Sequence, residues 1–322
     1  MRKFWESIYY PNYITGYNPF ILKGMNKAIE RLALAVNNRQ KIVIYGTYNV
    51  DGICAVSSLI LVLRYLNADV EYLIYDRQEN DARINSIDIK DNVDFLGAEL
   101  LITLGVGLKS QEEVNLCKAL GIDLIVIENE ISDTVNDYIY INPNQKGCQY
   151  RYKDLSTSGI TFKLMQAIAI YYNMKSINKY LDLILIGIKW SRGSAKGENG
   201  ILIKEGNRFL MNTNNNGLRS IIEFNDIKEF DDYGINKIIE SLIPPIGAVG
   251  ITDNARIVLE LLTTDDKDRT NQVVKYLYSL KKNHPMKQVK RIWFYAKNKY
   301  YNYIATFNLY NVLFNRKKYF LY

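Results

Sequence analysis

Histidine is almost missing from this chain: among its 322 residues there is one, His284. A serine–histidine–aspartate triad away from His284 and a metal site made of several histidines are therefore excluded. Cysteine is also scarce, with Cys54, Cys117 and Cys148 as the three in the sequence. Their odd number and wide spacing predict neither a disulfide framework nor a zinc site, and are typical of the reducing cytoplasm. Cys54 lies in an apolar stretch and is predicted to be a core residue.

Long apolar runs are absent as well. No run reaches the roughly 18–20 residues of a membrane-spanning helix, and residues 1–6 do not resemble the apolar part of a secretion signal. Hydrophobic residues nevertheless make up 48% of the chain, which is enough for a sizeable core. We therefore expect a cytoplasmic protein with one large α/β domain and additions, or with two domains.

Acidic residues are missing from residues 281–322, which contain ten Lys or Arg. The other 280 residues hold 31 basic and 34 acidic side chains, so the whole net charge of +7 comes from this end of the chain. Trp293 and seven tyrosines lie among these cations, in residues 291–322. Aromatic rings with cations favour binding to single-stranded nucleic acid. Packing against the body or a second subunit, or contact with a membrane surface, are the alternatives.

Short apolar strands alternate with helical patterns, which predicts an α/β fold with a parallel sheet and helices on both faces. The predicted strands are Ile42–Tyr45, Val70–Tyr75, Leu100–Leu104, Leu124–Ile127 and Tyr138–Ile141. The predicted helices are 23–36, 53–66, 110–120, 156–172, 175–190 and 265–283, with a break at residues 244–250. We divide the chain into an N-terminal extension (1–40), an α/β domain (41–192), a mostly helical part with a connecting helix (193–283) and a basic aromatic tail (284–322).

Residues 42–53 join an apolar strand to an apolar helix through a short polar loop. Such a loop lies where open α/β sheets bind ligands, and the following helix N-terminus favours phosphate. An ordinary strand–loop–helix turn is the alternative. The segment resembles motif I of the DHH phosphoesterases, above all the RecJ-type single-strand exonucleases, whose Gly-Asp-x-Asp-x-Asp-Gly pattern carries three aspartates. Thr47, Asn49 and Asp51 occupy those positions here, so one of the three carboxylates is present.

The resemblance continues in order through about residues 40–283 and implies the DHH phosphoesterase fold. Glycines, the Asn142-Pro143 pair, the Phe162–Leu164 run and Pro244 agree with the family. Most positions that bind metal or substrate there differ. They are occupied by Gly105 in the second motif, Glu128, Asn129 and Glu130 in place of Asp-His-His, Ser191 in the fourth motif, and Pro245, Gly247 and Ile251 near the break. The glycine-rich second lobe of such exonucleases has no match in this sequence.

The family's phosphodiester hydrolysis implies a pair of Mn²⁺ or Mg²⁺ ions. Asp51, Glu128 and Glu130 are the carboxylates left near the expected centre. Three carboxylates suit one weakly bound Mg²⁺ better than a close metal pair, and solvated glutamates at a strand end are the alternative. We therefore expect a pseudoenzyme without a resident cofactor, with Mn²⁺ or Mg²⁺ bound only if some activity remains.

Two groups of side chains are candidates for nucleic-acid binding. The first follows the family's substrate groove and consists of Lys153, Lys163, Lys189, Arg192 and Lys196. The second lies in the tail and consists of Arg291, Trp293, Lys297 and Lys299. An ordinary solvated lysine is the alternative at each groove position.

The expected function is that of a catalytically degenerate RecJ-like protein that binds single-stranded DNA or RNA, or a DNA replication or repair partner. The superfamily includes a eukaryotic replication-helicase cofactor that keeps the fold without a working site. One alternative is a residual metal-dependent single-stranded-DNA exonuclease or phosphoesterase. The second alternative is a pure protein-interaction module.

Overall fold

The computed structural model describes residues 16–75, 83–130, 137–243 and 253–283. A five-stranded, all-parallel sheet lies at its centre, which confirms the predicted α/β class. The strands are β1 (Ile42–Thr47), β2 (Val70–Tyr75), β3 (Leu100–Leu104), β4 (Asp123–Ile127) and β5 (Ile139–Ile141). Their order across the sheet is β2-β1-β3-β4-β5. The carboxyl ends of the five strands therefore point to the same edge of the sheet.

The helices of the described residues surround this sheet. They are α1 (Met25–Asn37), α2 (Val50–Tyr65), α3 (Gln111–Ala119), α4 (Thr157–Tyr171), α5 (Leu181–Trp190), α6 (Gly197–Met211), α7 (Asn216–Phe224), α8 (Asp232–Leu242), α9 (Asp253–Thr263) and α10 (Lys267–Asn283), with a short helical segment over residues 86–94. The predicted helix 175–190 begins later than expected, because residues 178–180 form a 3₁₀ turn. The Ser176 hydroxyl accepts the N–H of Asn178, a local bond that competes with helix formation.

Strand residues divide alternately between two hydrophobic cores. Successive side chains of a strand point to opposite faces, so Ile42 and Ile44 of β1 enter the larger core while Val43 and Tyr45 enter the smaller one. Helix α3 and the segment 86–94 cover the smaller core. The sheet is thus buried on both sides, as its unbroken apolar strands require.

The larger core includes residues of α1 as well as residues from β1 through α10. It therefore continues across both predicted boundaries, 40/41 and 192/193. Cys54 is fully buried in it, as predicted. Within the described ranges, no helix is both long and apolar enough to cross a membrane. The predicted break at 244–250 and the tail 284–322, with Arg291, Trp293, Lys297 and Lys299, lie outside the described residues.

A candidate site at the carboxyl edge of the sheet

The loop after β1 begins α2 through a capping side chain. The Asn49 Oδ1 accepts the N–H of Gly52 at 2.8 Å, which makes Asn49 the N-cap of α2. The backbone at Gly52 passes so close to β1 that a Cβ there would lie 2.2 Å from the Thr47 Oγ1. Both polar positions of the predicted motif are therefore involved in forming the turn.

Asp51 contacts a second helix instead of opening toward solvent. It is 5% exposed. Its Oδ2 accepts the N–H of Thr157 at 3.0 Å, and its Oδ1 accepts the N–H of Ser158 at 3.0 Å and the Ser158 hydroxyl at 2.6 Å. Both donor residues belong to the first turn of α4, where backbone N–H groups have no partner within the helix. Asp51 thus supplies the negative charge that a helix N-terminus favours.

The space around Asp51 is closed by neighbouring backbone and side chains. A Cβ at Gly187 of α5 would lie 2.3 Å from the Ser158 Oγ and 2.8 Å from the Asp51 Oδ1. Gly105, which follows β3, has a φ of +71°, and a Cβ there would lie 2.7 Å from the Thr157 Oγ1. A longer side chain at Gly105 would therefore need Thr157 to move and would also adopt a strained backbone conformation.

Glu128 follows β4 and is held by a chain of hydrogen bonds. The Asn142 amide donates to the Tyr140 hydroxyl at 2.7 Å, and that hydroxyl donates to the Glu128 Oε1 at 2.7 Å. Burial raises the pKa of Glu128, and nearby Glu130 raises it further, whereas the Tyr140 hydrogen bond and Arg83 lower it. Tyr140 and Asn142 therefore fix the direction of a carboxylate that is half-buried.

Asn129 and Glu130 are tied to neighbouring loops through their polar groups. The Asn129 side chain donates to the Leu155 carbonyl at 3.1 Å, and the Asn129 carbonyl accepts the Asn144 amide at 2.8 Å. The Glu130 side chain is exposed and lies 3.9 Å from the Arg83 guanidinium. Ser191 is the C-cap residue of α5, and its hydroxyl donates a hydrogen bond to the Ile188 carbonyl at 3.0 Å.

This donor set does not fit a pair of metal ions. Among the residues that the structure describes, no group of three or more His, Cys, Asp or Glu is placed to hold a metal ion. The predicted set of Asp51, Glu128 and Glu130 is therefore not brought together. The physical reason is that Asp51 already serves the N–H groups of α4, while Glu130 faces solvent.

The prediction that Lys163 contacts nucleic acid is wrong, because the side chain is buried. It is 0% exposed, and its ammonium pairs with the Glu198 Oε1 at 2.7 Å and donates to the Gln166 Oε1 at 2.6 Å. Burial lowers the pKa of Lys163, although the charge of Glu198 opposes the shift. Glu198 also accepts the Tyr150 hydroxyl at 2.6 Å and the Tyr17 N–H at 2.9 Å. The pair therefore connects α4, α6 and the segment before α1.

The other groove candidates differ in how their charge is used. The Lys153 ammonium donates to the carbonyls of Pro143 and Cys148, and the Lys189 ammonium pairs with Asp232 at 2.8 Å. Arg192 and Lys196 are exposed in the segment between α5 and α6. Lys196 is the N-cap of α6 and makes no side-chain capping bond.

Several residues that build this edge are not among the site residues predicted from the sequence. The N–H groups of Thr157 and Ser158 donate to the Asp51 carboxylate, and the Tyr140 hydroxyl donates to Glu128 and orients it. The Ser156-Thr157-Ser158-Gly159 run was a usable signal, because hydroxyl residues before an apolar helix are typical of an N-terminus. The Tyr140 contact had no comparable signal.

The comparison with known proteins agrees with this architecture. A family model described as the DHH family, N-terminal domain, matches residues 41–188. The single-stranded-DNA-specific exonuclease RecJ of Bacillus subtilis (strain 168) is 29% identical over 270 residues, which cover 83% of this chain and 33% of that protein. RecJ of Salmonella typhimurium is 25% identical over 285 residues, which cover 84% of this chain and 49% of that protein. The chain thus spans between a third and a half of the length of these curated relatives.

Solved structures show the same fold. A structure of exonuclease RecJ bound to manganese matches with a TM-score of 0.73 and 22% identity, over 82% of this chain and 67% of that one. RecJ of Thermus thermophilus in complex with Mn²⁺ matches with a TM-score of 0.68 and 23% identity, over 82% of this chain and 38% of that one. The fold and the loops at the carboxyl edge therefore define a DHH-type α/β protein. Within that class, residues 41–188 match the DHH family model, and the chain is RecJ-like in sequence and fold.

Proposed function

We propose that this protein binds single-stranded nucleic acid without hydrolysing it. The observation that carries the proposal is the use of the Asp51 carboxylate as a cap for α4, where it accepts three hydrogen bonds. Metal-assisted hydrolysis needs ligands that hold a metal and a bound hydroxide at the scissile phosphate. A carboxylate that neutralises a helix N-terminus is poorly available for that role. The relatives named single-stranded-DNA-specific exonucleases supply the class of ligand.

Exposed cations next to this edge support the binding half of the proposal. Arg192 and Lys196 flank Ser191 and the start of α6, and neither side chain has a partner among the described residues. A phosphate there would meet two cations and an N-terminus whose dipole favours anions. The tail residues Arg291 and Trp293 are proposed to add cation and stacking contacts.

The test uses the full chain and a fluorescein-labelled oligothymidylate. Anisotropy at low salt measures binding, and denaturing gels measure cleavage in EDTA and in millimolar Mn²⁺. We expect binding in both buffers and cleavage in neither. Arg192→Ala and Lys196→Ala should each weaken binding several-fold, since each removes a phosphate contact. Lys204→Ala, at an exposed position of α6, is the matched control and should bind like the parent.

Two results would overturn the proposal. Mn²⁺-dependent cleavage that co-elutes with the protein and is lost in a folded Asp51→Asn variant would establish the residual exonuclease instead. Negligible affinity at low salt, where phosphate contacts are strongest, would favour the protein-interaction module.

A further inference from the structure

An open cavity of about 400 Å³ lies on the flank of the sheet, between the start of α1 and β5. β5 is the outer strand on this side. The cavity is separate from the contacts of Asp51, and its volume is within the ~300–1,000 Å³ range of small-ligand sites. The described residues that line it include no Asp or Glu.

One end of the cavity suits an anion. The N-cap of α1 is Gly24, with a φ of +90°. The Met25 N–H donates to the Leu22 carbonyl at 3.1 Å, and no side chain caps the next N–H groups, those of Asn26 and Lys27. The dipole and these amides favour a phosphate. Lys27 is exposed on the same turn, and the Lys23 ammonium is held beside it by the Lys146 carbonyl at 2.9 Å. Both lysines line the cavity, where no described carboxylate neutralises them.

The other walls suit a flat apolar group. Phe20, Ile21 and Tyr138 also line the cavity, and Ile21 is 43% exposed. Aromatic and aliphatic walls are the usual surface against which a nucleobase stacks. The lining therefore combines phosphate-favouring and ring-favouring residues around a volume that fits one nucleotide.

Gln145 adds a hydrogen-bonding group to the lining. Its side chain is 8% exposed, and its Nε2 donates to the Tyr140 carbonyl at 2.9 Å and to the Lys23 carbonyl at 3.1 Å. These two acceptors fix the orientation of the amide, so the Oε1 is left as an acceptor with no partner among the described residues. A ring or exocyclic N–H of a base would satisfy it. The same bond to Tyr140 occupies an outer carbonyl of β5, which disfavours the addition of a peptide strand.

We propose that this cavity binds one nucleotide unit of a single-stranded nucleic acid, with its phosphate at the start of α1 and its base against Phe20 and Tyr138. The proposal rests on the nucleic-acid binding proposed above, and it adds a contact point on the flank of the sheet, apart from Asp51.

The first test adds a negative charge to the lining of the cavity without harming the helix. Asn26 is exposed in the first turn of α1 and lines the cavity. Asn26→Asp places a carboxylate where the helix dipole favours it, so the thermal midpoint should stay or rise. Affinity for the fluorescein-labelled oligothymidylate should fall about tenfold, since a phosphate contact is replaced by repulsion. Asn92→Asp, the same change at an exposed residue outside the lining, should leave the affinity within about twofold.

The second test locates the base. An oligonucleotide containing 4-thiothymidine is cross-linked to the full chain, and the attached peptide is identified by mass spectrometry. We expect attachment at Phe20 or Tyr138, and loss of that cross-link in Asn26→Asp. Equal affinities for Asn26→Asp and Asn92→Asp, or cross-links confined to other segments, would refute the cavity while leaving nucleic-acid binding intact. Failure of the unmodified chain to bind any oligonucleotide would refute both proposals.

Discussion

Removal of the Asp51 carboxylate should lower the stability of this protein even when no metal is added. Asp51 is almost fully buried and receives two backbone N–H groups and one hydroxyl from Thr157 and Ser158. Asp51→Ala leaves those two N–H groups without an acceptor. The variant therefore tests whether this carboxylate stabilises the fold or serves as a ligand of a metal.

The expected magnitude follows from the hydrogen bonds. Loss of a helix cap alone costs about 1–2 kcal/mol, and each buried group left unsatisfied costs about 1–3 kcal/mol. Partial entry of water would reduce that sum. We expect the free energy of unfolding to fall by about 3–4 kcal/mol, a shift of the thermal midpoint on the order of 10 °C for a chain of this size. Asp51→Asn keeps the volume and one acceptor oxygen, so it should lose about half as much.

Urea denaturation followed by far-ultraviolet circular dichroism measures this change, in EDTA and in millimolar Mn²⁺. Asp91→Ala, at an exposed acidic residue of the segment 86–94, controls for the loss of one negative charge and should change stability by less than about 0.5 kcal/mol. The unmodified chain should have the same midpoint in both buffers, because three donors already occupy Asp51.

A metal ligand would behave in the opposite way. Its removal would leave metal-free stability unchanged or raised, since repulsion between carboxylates would be relieved. Mn²⁺ would then raise the midpoint of the unmodified chain but not that of Asp51→Ala. That pattern would refute the capping role and, with it, the main support for a protein that binds without cleaving.

Three further predictions concern other charged groups. Lys163→Met and Glu198→Gln should each cost roughly 3–5 kcal/mol of unfolding free energy, because either change leaves the other charge buried without its counter-ion. The double variant should cost clearly less than the two added together, and additive losses would contradict the pairing. Burial raises the pKa of Asp182 from 3.8 to about 6, so protonation of this carboxyl stabilises the fold fully below pH 3.8, and that stabilisation is lost as the pH rises through 6. Between pH 4 and pH 7.5, the free energy of unfolding of Asp182→Asn should therefore rise by up to roughly 3 kcal/mol relative to that of the unmodified chain, as measured by denaturant titrations. Parallel pH profiles of the two proteins would disprove the shift. The double variant Arg192→Ala/Lys196→Ala should reduce the slope of log affinity against log salt concentration by about one to two. An unchanged slope would show that neither residue contacts a phosphate of the nucleic acid.

The sheet could be predicted from the sequence because its strands are continuous apolar segments. Val70–Tyr75 and Leu100–Leu104 coincide with the observed strands, and the other three differ by one or two residues at an end. Buried parallel strands leave no ambiguity with solvated loops. The start of α5 was less predictable, because a local bond from the Asn178 N–H to the Ser176 hydroxyl competes with the first turn of the expected helix.

The site was predictable in place and only partly in geometry. A loop after β1 must lie at the carboxyl edge, so the position of Asp51 followed from the pattern. The direction of its carboxylate depends on how α4 approaches α2, which no local pattern contains. The burial of Lys163 could have been predicted, since it is the one charged residue of the apolar helix α4. A lone cation on an apolar helix requires a buried partner, and the sequence did not indicate that Glu198 supplies it.

The bonds of Glu198 also limit how the chain can be divided and in which order it can fold. The Tyr17 N–H and the Glu198 carboxylate lie 181 residues apart in sequence, so residues before α1 acquire this anchor only after α6 has been synthesised. A fragment ending at residue 192 would retain Lys163 without its counter-ion in an apolar interior. The α/β part is therefore expected to be an obligate partner of the helices that follow it, and the cooperative folding unit extends at least from Tyr17 to α6.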